Sequence, residues 1–336
     1  MRGRGTELRQ VRKRTSKSRS ESGERRGPTK RPDLRVRLGP LELKNPVMLA
    51  SGVAGYGDEL RHVVNLNRIG AVVTKTLTLR PHEGNAPPRL VEVPSGLINS
   101  IGLANMGCRA FVSQRLGRLS NLRAKIVVSV GGFTVGEYAR VVAALDDAGG
   151  FDAFEVNISC PNIGSGGVNF GSVPANAARV VKTVRSNTSR PLFVKLTPNV
   201  SDIGAVARAC ACEGADALTV GNTFRAMVVD LHSRRPVLGA TTGGLSGPAI
   251  KAICLAKVWE VVSAVKTPVI ACGGISSARD ALEYIVVGAT AFQVGSACFR
   301  DFRTPQLILD GISRFCERNN LRSLTDLTGT LEQAGT

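Results

Sequence analysis

The sequence has no CxxC pair, no apolar run of membrane-spanning length, only three histidines and few aromatic residues. Each shortage removes a class of function. The eight cysteines lie scattered at 108, 160, 210, 212, 254, 272, 298 and 316. That pattern argues against a zinc ribbon, an iron–sulfur cluster or a disulfide framework within the chain, and it fits a reducing cytoplasm. No stretch approaches the 18 or so apolar residues of a transmembrane helix, and no secretory signal pattern opens the chain, so no membrane association is expected. His62, His82 and His232 fall in a helix start and two polar loops, without metal-ligand spacing, so no metal site is expected. Aromatic residues make up 4% of the chain, but apolar residues make up 43% of 336, enough for a substantial core. No GxGxxG follows the first strand candidate, which disfavours an open dinucleotide-binding sheet.

Positive charge and glycine are in excess. The formal net charge is +18, and half of it comes from residues 1–31, with twelve Lys/Arg against three acids. That segment has almost no apolar residues and is expected to be a disordered extension. It reads either as an arm for RNA, membrane or an acidic partner, or as a dispensable tail or misassigned start, and the second reading is favoured. Nucleic-acid binding is therefore not expected. Glu7, Glu21 and Glu24 disfavour an organelle transit peptide. The expected organisation is a basic extension over 1–31, one catalytic domain over 32–315 and a tail over 316–336.

From residue 34 a hairpin pattern alternates around Gly39-Pro40, and a regular rhythm follows. Apolar strand candidates at 46–51, 71–78, 126–131, 153–160, 192–197, 217–223, 269–274 and 291–296 each end in Gly, Asn, Ser, Thr or Cys. Helical patterns fall between them, among others at 135–147, 176–187, 203–213, 248–265 and 278–287. Eight apolar strands alternating with helices mean a parallel sheet, and eight closes a (β/α)8 TIM barrel. One excursion, 82–105, interrupts the rhythm between the second and third strands and reads as a substrate cover.

A barrel puts its chemistry at the C-terminal ends of its strands. Gly273-Gly274 and Gly295-Ser296 end the last two strands. There bare amides and a hydroxyl suit a phosphate, whether of a flavin mononucleotide or of a sugar. Lys75 and Lys195 sit in apolar strands, where an ammonium needs a ligand anion, a Schiff-base carbonyl or a carboxylate to face. Asn99, Asn157, Asn162 and Asn222 can together read a planar ring rich in amide and carbonyl groups. Cys160, bracketed by Asn157 and Asn162, is the best proton-transfer candidate, because no acid or histidine holds a comparable strand-end position.

These residues resemble the dihydroorotate dehydrogenase family, specifically its class 1 cytosolic flavoproteins, over roughly residues 34–309. The resemblance rests on Ala50-Ser51-Gly52, Thr74-Lys75-Thr76, Asn99-Ser100-Ile101-Gly102-Leu103, Asn157-Ile158-Ser159-Cys160-Pro161-Asn162, Val194-Lys195-Leu196-Thr197-Pro198, Asn222-Thr223, Thr242-Gly243-Gly244-Leu245-Ser246-Gly247-Pro248 and the two phosphate-loop pairs. It implies one FMN per chain, contacted by Ser51, Lys75, Thr76, Ser129, Asn157, Lys195, Gly221, Gly247, Gly273, Gly274, Gly295 and Ser296. It also implies a dihydroorotate site made by Lys75, Asn99, Ser100, Ile101, Gly102, Leu103, Asn157, Asn162, Asn222 and Thr223. Cys160 would be the catalytic base, removing a proton from carbon 5 as hydride leaves carbon 6.

The membrane-bound class uses Ser in place of Cys160 and carries an apolar anchor; this sequence has Cys and shows no anchor pattern. The Asn-Ile-Ser-Cys-Pro-Asn-Ile form and the glycines after it look like the NAD-linked subclass. That implies a homodimer core, or a heterotetramer with a partner subunit carrying FAD and a 2Fe–2S cluster. A fumarate-using homodimer is the sibling reading. A uracil or thymine reductase like dihydropyrimidine dehydrogenase, and a non-catalytic RNA- or membrane-binding protein, are the rivals. Two positions depart from the family pattern. Ser129 stands where Asn usually touches the flavin, and Gly221 replaces a larger aliphatic residue, which is expected to loosen the packing there.

Overall fold

The structure, a computed structural model, describes residues 31–60, 62–159 and 170–332. In chain order the strands are β1 (Val36–Leu38), β2 (Leu41–Leu43), β3 (Val47–Leu49), β4 (Ala71–Val73), β5 (Leu90–Val93), β6 (Gly96–Asn99), β7 (Lys125–Val130), β8 (Ala153–Asn157), β9 (Leu192–Leu196) and β10 (Ala217–Val220). They continue with β11 (Phe224–Ala226), β12 (Val229–Asp230), β13 (Arg235–Pro236), β14 (Gly243–Ser246), β15 (Val269–Cys272) and β16 (Ala291–Val294). The helices are α1 (Gly107–Gln114), α2 (Val135–Ala148), α3 (Pro174–Arg185), α4 (Ile203–Cys212), α5 (Lys251–Ala264), α6 (Ala278–Val287), α7 (Ala297–Arg300) and α8 (Thr304–Arg318).

Eight parallel strands close a barrel in the order β10-β15-β16-β3-β4-β7-β8-β9. All eight fall within the stretches expected from the sequence, give or take one residue at the start of β7. Their near-continuous burial follows from having helices on one side and the barrel interior on the other. Local chemistry sets the helix ends. The side chains of Thr134, Asp202 and Ser277 accept backbone N–H groups in the first turns of α2, α4 and α6, and Gly149 and Gly288 end α2 and α6.

The two ends of the barrel are built differently. At the N-terminal end, the β1–β2 hairpin buries Val36, Leu38, Leu41 and Leu43. Its turn glycine, Gly39, has φ +58°, and a Cβ there would lie 2.7 Å from Asp216 Cβ. Carboxylates tie the strand starts nearby. Asp152 takes the Ile126 N–H and pairs with Lys125 at 2.7 Å, while Asp216 takes the Leu192 N–H and pairs with Arg185 at 3.1 Å. Such groups suit stability at this end of a barrel.

The C-terminal end carries the chemistry-bearing side chains and a cover of its own. The excursion expected at 82–105 does contain irregular chain, but it also forms β5, β6 and the lead into α1. A second excursion, between β10 and α5, forms β11 to β14. The two combine in one antiparallel sheet of order β11-β14-β6-β5, with Asn99 opposite Gly244 and Ile98 opposite Leu245. The rhythm of the sequence points only to the first half of this cover.

Of the tail expected over 316–336, the structure describes residues 316–332. Position 316 lies inside α8, and the chain beyond it packs onto the barrel. Leu324 is fully buried, its N–H donates to Asp33 O at 3.0 Å, and Leu331 N–H donates to Val286 O at 3.1 Å. The chain after α8 includes a short 3-10 turn, Leu324–Leu327, capped by Ser323 and Asp326. The expected extension 1–31, apart from Arg31, lies outside the described residues. Among the described residues no helix is long and apolar enough to cross a membrane.

Candidate active site

A cavity of about 250 Å³ opens at the C-terminal end of the barrel, beneath the β5–β6–β14–β11 cover. Three groups of residues form its wall. On one side are the ends of β15 and β16: Gly273, Gly274, Gly295 and Ser296, with Ser51 from the end of β3 beside them. The cover contributes Asn99, Ile101 and Gly247, and the end of β10, next to β15 in the barrel, adds Asn222 and Thr223. Lys195 and Cys272 form the floor.

The glycines on this wall have steric causes. Gly273 and Gly274 have φ values of +126° and +67°, which L side chains rarely adopt. A Cβ on Gly273 would also lie 2.3 Å from Cys254 Sγ, and one on Gly274 would lie 2.6 Å from Lys251 Cα. Packing from outside thus forces bare backbone toward the cavity. Gly295 differs, since a Cβ there would meet only Ala50 Cβ at 3.8 Å. Its missing side chain leaves space on the cavity wall.

A belt of hydroxyl and amide groups links five strand ends. Thr76 Oγ1 lies 2.9 Å from Ser129 Oγ and 3.3 Å from Ser51 Oγ, and it accepts from Asn157 Nδ2 at 3.2 Å. Asn157 Oδ1 accepts the Ser159 N–H and hydroxyl, and Ser159 Oγ in turn accepts Asn222 Nδ2 at 2.5 Å. Asn222 Oδ1 then takes the Thr223 N–H at 2.8 Å. Parallel pairing of neighbouring strands brings these residues, distant in sequence, to one level. Thr76 is the hub. Thr76→Val, an isosteric change, leaves the fully buried Ser129 hydroxyl and the Asn157 amide short of a partner. It is expected to cost about 1–3 kcal/mol in urea denaturation.

Several expected site residues stand behind the cavity wall. Ser129 is fully buried, with its N–H on Thr74 Oγ1 at 3.1 Å and its hydroxyl on Thr76. Neither Ser129 nor Thr76 nor Asn157 lines the cavity, and the serine is linked to it only through Thr76 and then Ser51. Ser100 is also fully buried and accepts Asn85 Nδ2 at 2.6 Å. Gly102 and Leu103 adopt φ +66° and +58°. For leucine that is an uncommon conformation, held here because Asn105 Nδ2 donates to Leu103 O at 2.7 Å while its Oδ1 takes the N–H groups of Thr78 and Gly107. Lys75 lies past the end of β4, partly buried. Burial and then the nearby Arg89 charge push its ammonium below the usual lysine range, against a smaller opposing effect of Glu59. Cys160 and Asn162 lie outside the described residues.

Gly221 overturns one expectation. Its φ is +114°, and a Cβ there would lie 1.8 Å from Cys272 O. The glycine lets β10 and β15 approach at the cavity rim. It fills a tight backbone contact and does not loosen the packing.

The sequence expectations passed over the polar groups beneath the floor. Lys195 Nζ donates to Gln293 Oε1 at 3.0 Å and lies 3.8 Å from Cys272 Sγ and 3.9 Å from Glu155 Oε1. Burial opposes the Lys195 charge, but its neighbours outweigh burial and hold the ammonium above the usual lysine range. Burial also pushes the Cys272 thiol up, and Glu155 is the one carboxylate within 4 Å of the ammonium among the described residues. Glu155 and Gln293 sit two residues before Asn157 and Gly295, on the same strand faces. That period of two was the available signal.

Comparison with known proteins identifies the family of the chain. The family described as Dihydroorotate dehydrogenase matches residues 33–316. A relative from Geobacter sp. (strain M21), named "Dihydroorotate dehydrogenase B (NAD(+)), catalytic subunit", is 48% identical over 302 residues, covering 90% of this chain and 99% of its own. Relatives of the same name from Pelobacter propionicus and Desulforudis audaxviator are 49% and 45% identical, over 90% and 89% of this chain and 99% and 98% of theirs. The match takes in the whole barrel and its cover, and the chain belongs to the dihydroorotate dehydrogenase family.

Proposed function

We propose that this chain is the catalytic barrel of an NAD-linked dihydroorotate dehydrogenase, oxidising (S)-dihydroorotate to orotate in pyrimidine biosynthesis. One observation carries the reading: a glycine-walled cradle, a buried ammonium and the side chains of Ser51, Asn99, Asn222 and Thr223 meet in a single cavity. The cradle and the donor set fit FMN. Gly273, Gly274, Gly295 and Ser296 suit the phosphate, and Lys195, Ser51, Thr76 and Gly247 suit the ring system. When bound, FMN supplies the acceptor for the hydride that leaves carbon 6 of the substrate.

The chain's own residues do the rest. Asn99, Asn157, Asn162, Asn222 and Thr223 orient the ring of dihydroorotate through its amide and carbonyl groups. Lys75, together with Ser100, Ile101, Gly102 and Leu103, serves the substrate's carboxylate side, the lysine offering positive charge. Cys160, as thiolate, takes the proton from carbon 5. Lys195 holds positive charge at the floor, where negative charge develops on reduction. The cover sheet excludes water.

The relatives' name, a catalytic subunit of an NAD(+) enzyme, supports a partner that passes electrons to NAD. In this reading the partner carries FAD and a 2Fe–2S cluster, the barrels pair as a homodimer within a heterotetramer, and the assembly is cytoplasmic.

Anaerobic mixing of the purified, FMN-loaded chain with dihydroorotate tests the proposal. Bleaching of the flavin absorbance is expected without partner or NAD. Reduction of NAD is expected only once the FAD and iron–sulfur subunit is added, and fumarate alone should not reoxidise the flavin. Bleaching by uracil-type dihydropyrimidines and not by dihydroorotate would overturn the substrate assignment.

A further inference from the structure

A charged group lies below the cavity floor that neither the amide belt nor the glycine cradle uses. Glu155, from β8, is fully buried. Its Oε2 is saturated, accepting the Thr219 hydroxyl at 2.8 Å and the Gln293 amide. Its Oε1 is buried with no hydrogen-bond partner among the described residues and stands 3.9 Å from Lys195 Nζ. Gln293 is shared, taking Lys195 on its carbonyl oxygen and giving its amide to Glu155.

Four strands thus send one polar side chain each into the interior, where barrels are ordinarily filled by branched apolar residues. A carboxylate is among the most costly groups to place there unless it is paired. The hydrogen bonds fix Oε2 and leave the other oxygen facing the lysine. That arrangement orients a charge; packing alone would be served by glutamine or leucine.

We propose that Glu155 is the fixed counter-charge that keeps Lys195 protonated and directed at the cavity, with Thr219 and Gln293 holding the carboxylate in place. Glu155 is a positioning residue. It acts through Lys195 and does not reach the cavity wall. The inference deepens the proposed function, since the ammonium it maintains is the group assigned to the flavin. The titratable and charged groups facing Lys195 are Glu155 from β8 and Cys272 from β15; Thr219 from β10 and Gln293 from β16 are neutral. Burial disfavours the ammonium and pushes the Cys272 thiol up, toward its neutral form. Removing the carboxylate therefore leaves burial as the dominant influence, and Lys195 should release its proton at lower pH.

The test is competitive acylation of the full-length chain, freed of FMN, with acetic anhydride between pH 6 and 10. Modification of Lys195 is read by peptide mass spectrometry against exposed lysines in the same sample. In Glu155→Gln, Lys195 should be about tenfold or more reactive at pH 8 than in the unaltered chain, equivalent to a fall of about one pH unit in its titration midpoint. Thr219→Val should shift reactivity the same way by a smaller factor, and it serves if Glu155→Gln fails to fold. FMN affinity should weaken with rising pH in Glu155→Gln while staying flat in the unaltered chain over the same range. An unchanged Lys195 profile in folded Glu155→Gln, or in folded Thr219→Val should Glu155→Gln not fold, overturns the proposal. The labelling needs neither flavin nor substrate. A chain that fails to oxidise dihydroorotate but shows the shift would sink the functional reading and leave this one standing.

Discussion

Replacing Cys160 with alanine is expected to slow dihydroorotate-driven flavin bleaching by about 10²–10⁴-fold at neutral pH, the usual worth of a positioned general base. FMN binding should be unaffected. The chain just before Cys160 is firmly held: Ser159 is buried, its hydroxyl donates to Asn157 Oδ1 at 2.8 Å, and it accepts Asn222 Nδ2. Ser159 thus fixes the chain at the amide belt proposed to hold the substrate ring, one residue before the proposed base. Cys160 must be ionised to act as that base. An unperturbed thiol has a pKa of about 8.5, so the bleaching rate should rise with pH through the mildly alkaline range and level off above it. Below that pKa it should fall about tenfold per pH unit, because only the thiolate fraction acts. In Cys160→Ala the rise should vanish with the rate. Anaerobic stopped-flow mixing from pH 6 to 9.5 measures both. A flat profile in the unaltered enzyme, with chemistry shown to limit the rate, would remove Cys160 from its role.

Gly221→Val is expected to destabilise the chain by about 3 kcal/mol or more, from the strain of a β-branched residue at positive φ together with overpacking. The physical reason is a backbone contact with no slack. β10 and β15 pair in parallel with Val220 opposite Ala271, so position 221 lies against Cys272, whose carbonyl oxygen would be 1.8 Å from an added Cβ. Either β15 moves or residue 221 leaves its conformation. Moving β15 also displaces Gly273 and Gly274, so FMN affinity should fall along with stability. Gly136 provides the contrast. It lies in α2, where an added Cβ would meet nothing within 4 Å, and Gly136→Ala should be neutral or stabilising by up to about 1 kcal/mol. Urea denaturation of the two variants beside the parent decides the matter. Equal stability of parent and Gly221→Val would refute the contact argument.

Much of this protein was legible along the chain. Eight apolar runs with polar ends, separated by helical patterns, specify a parallel barrel because a strand buried on both faces leaves a continuous apolar signature that needs no partner to be read. The strand ends then name the candidates, since the barrel puts its chemistry there; Ser51, Lys195, Asn222, Gly273-Gly274 and Gly295-Ser296 do line one cavity. Cap residues such as Thr134, Asp202 and Ser277 mark helix starts locally for the same reason: the interaction spans three residues.

What the tertiary structure alone decided involves pairing between distant segments. The cover sheet joins residues 90–99 to residues 224–246, and neither half has enough apolar alternation to announce its partner. Position along the chain assigns Ser129 and Ser100 to the cavity, yet their hydroxyl groups are bonded to Thr76 and Asn85 behind the wall. Gly221 looks like a loss of bulk in the sequence, and only the approach of β15 shows that no side chain fits. Glu155 and Gln293 look like ordinary strand residues until four strands bring them under Lys195. Periodicity and local hydrogen bonding are properties of a short stretch, so the sequence determined the barrel, its strand ends and its helix caps. Charge compensation and steric room depend on groups tens or hundreds of residues away, and those were decided when the barrel closed.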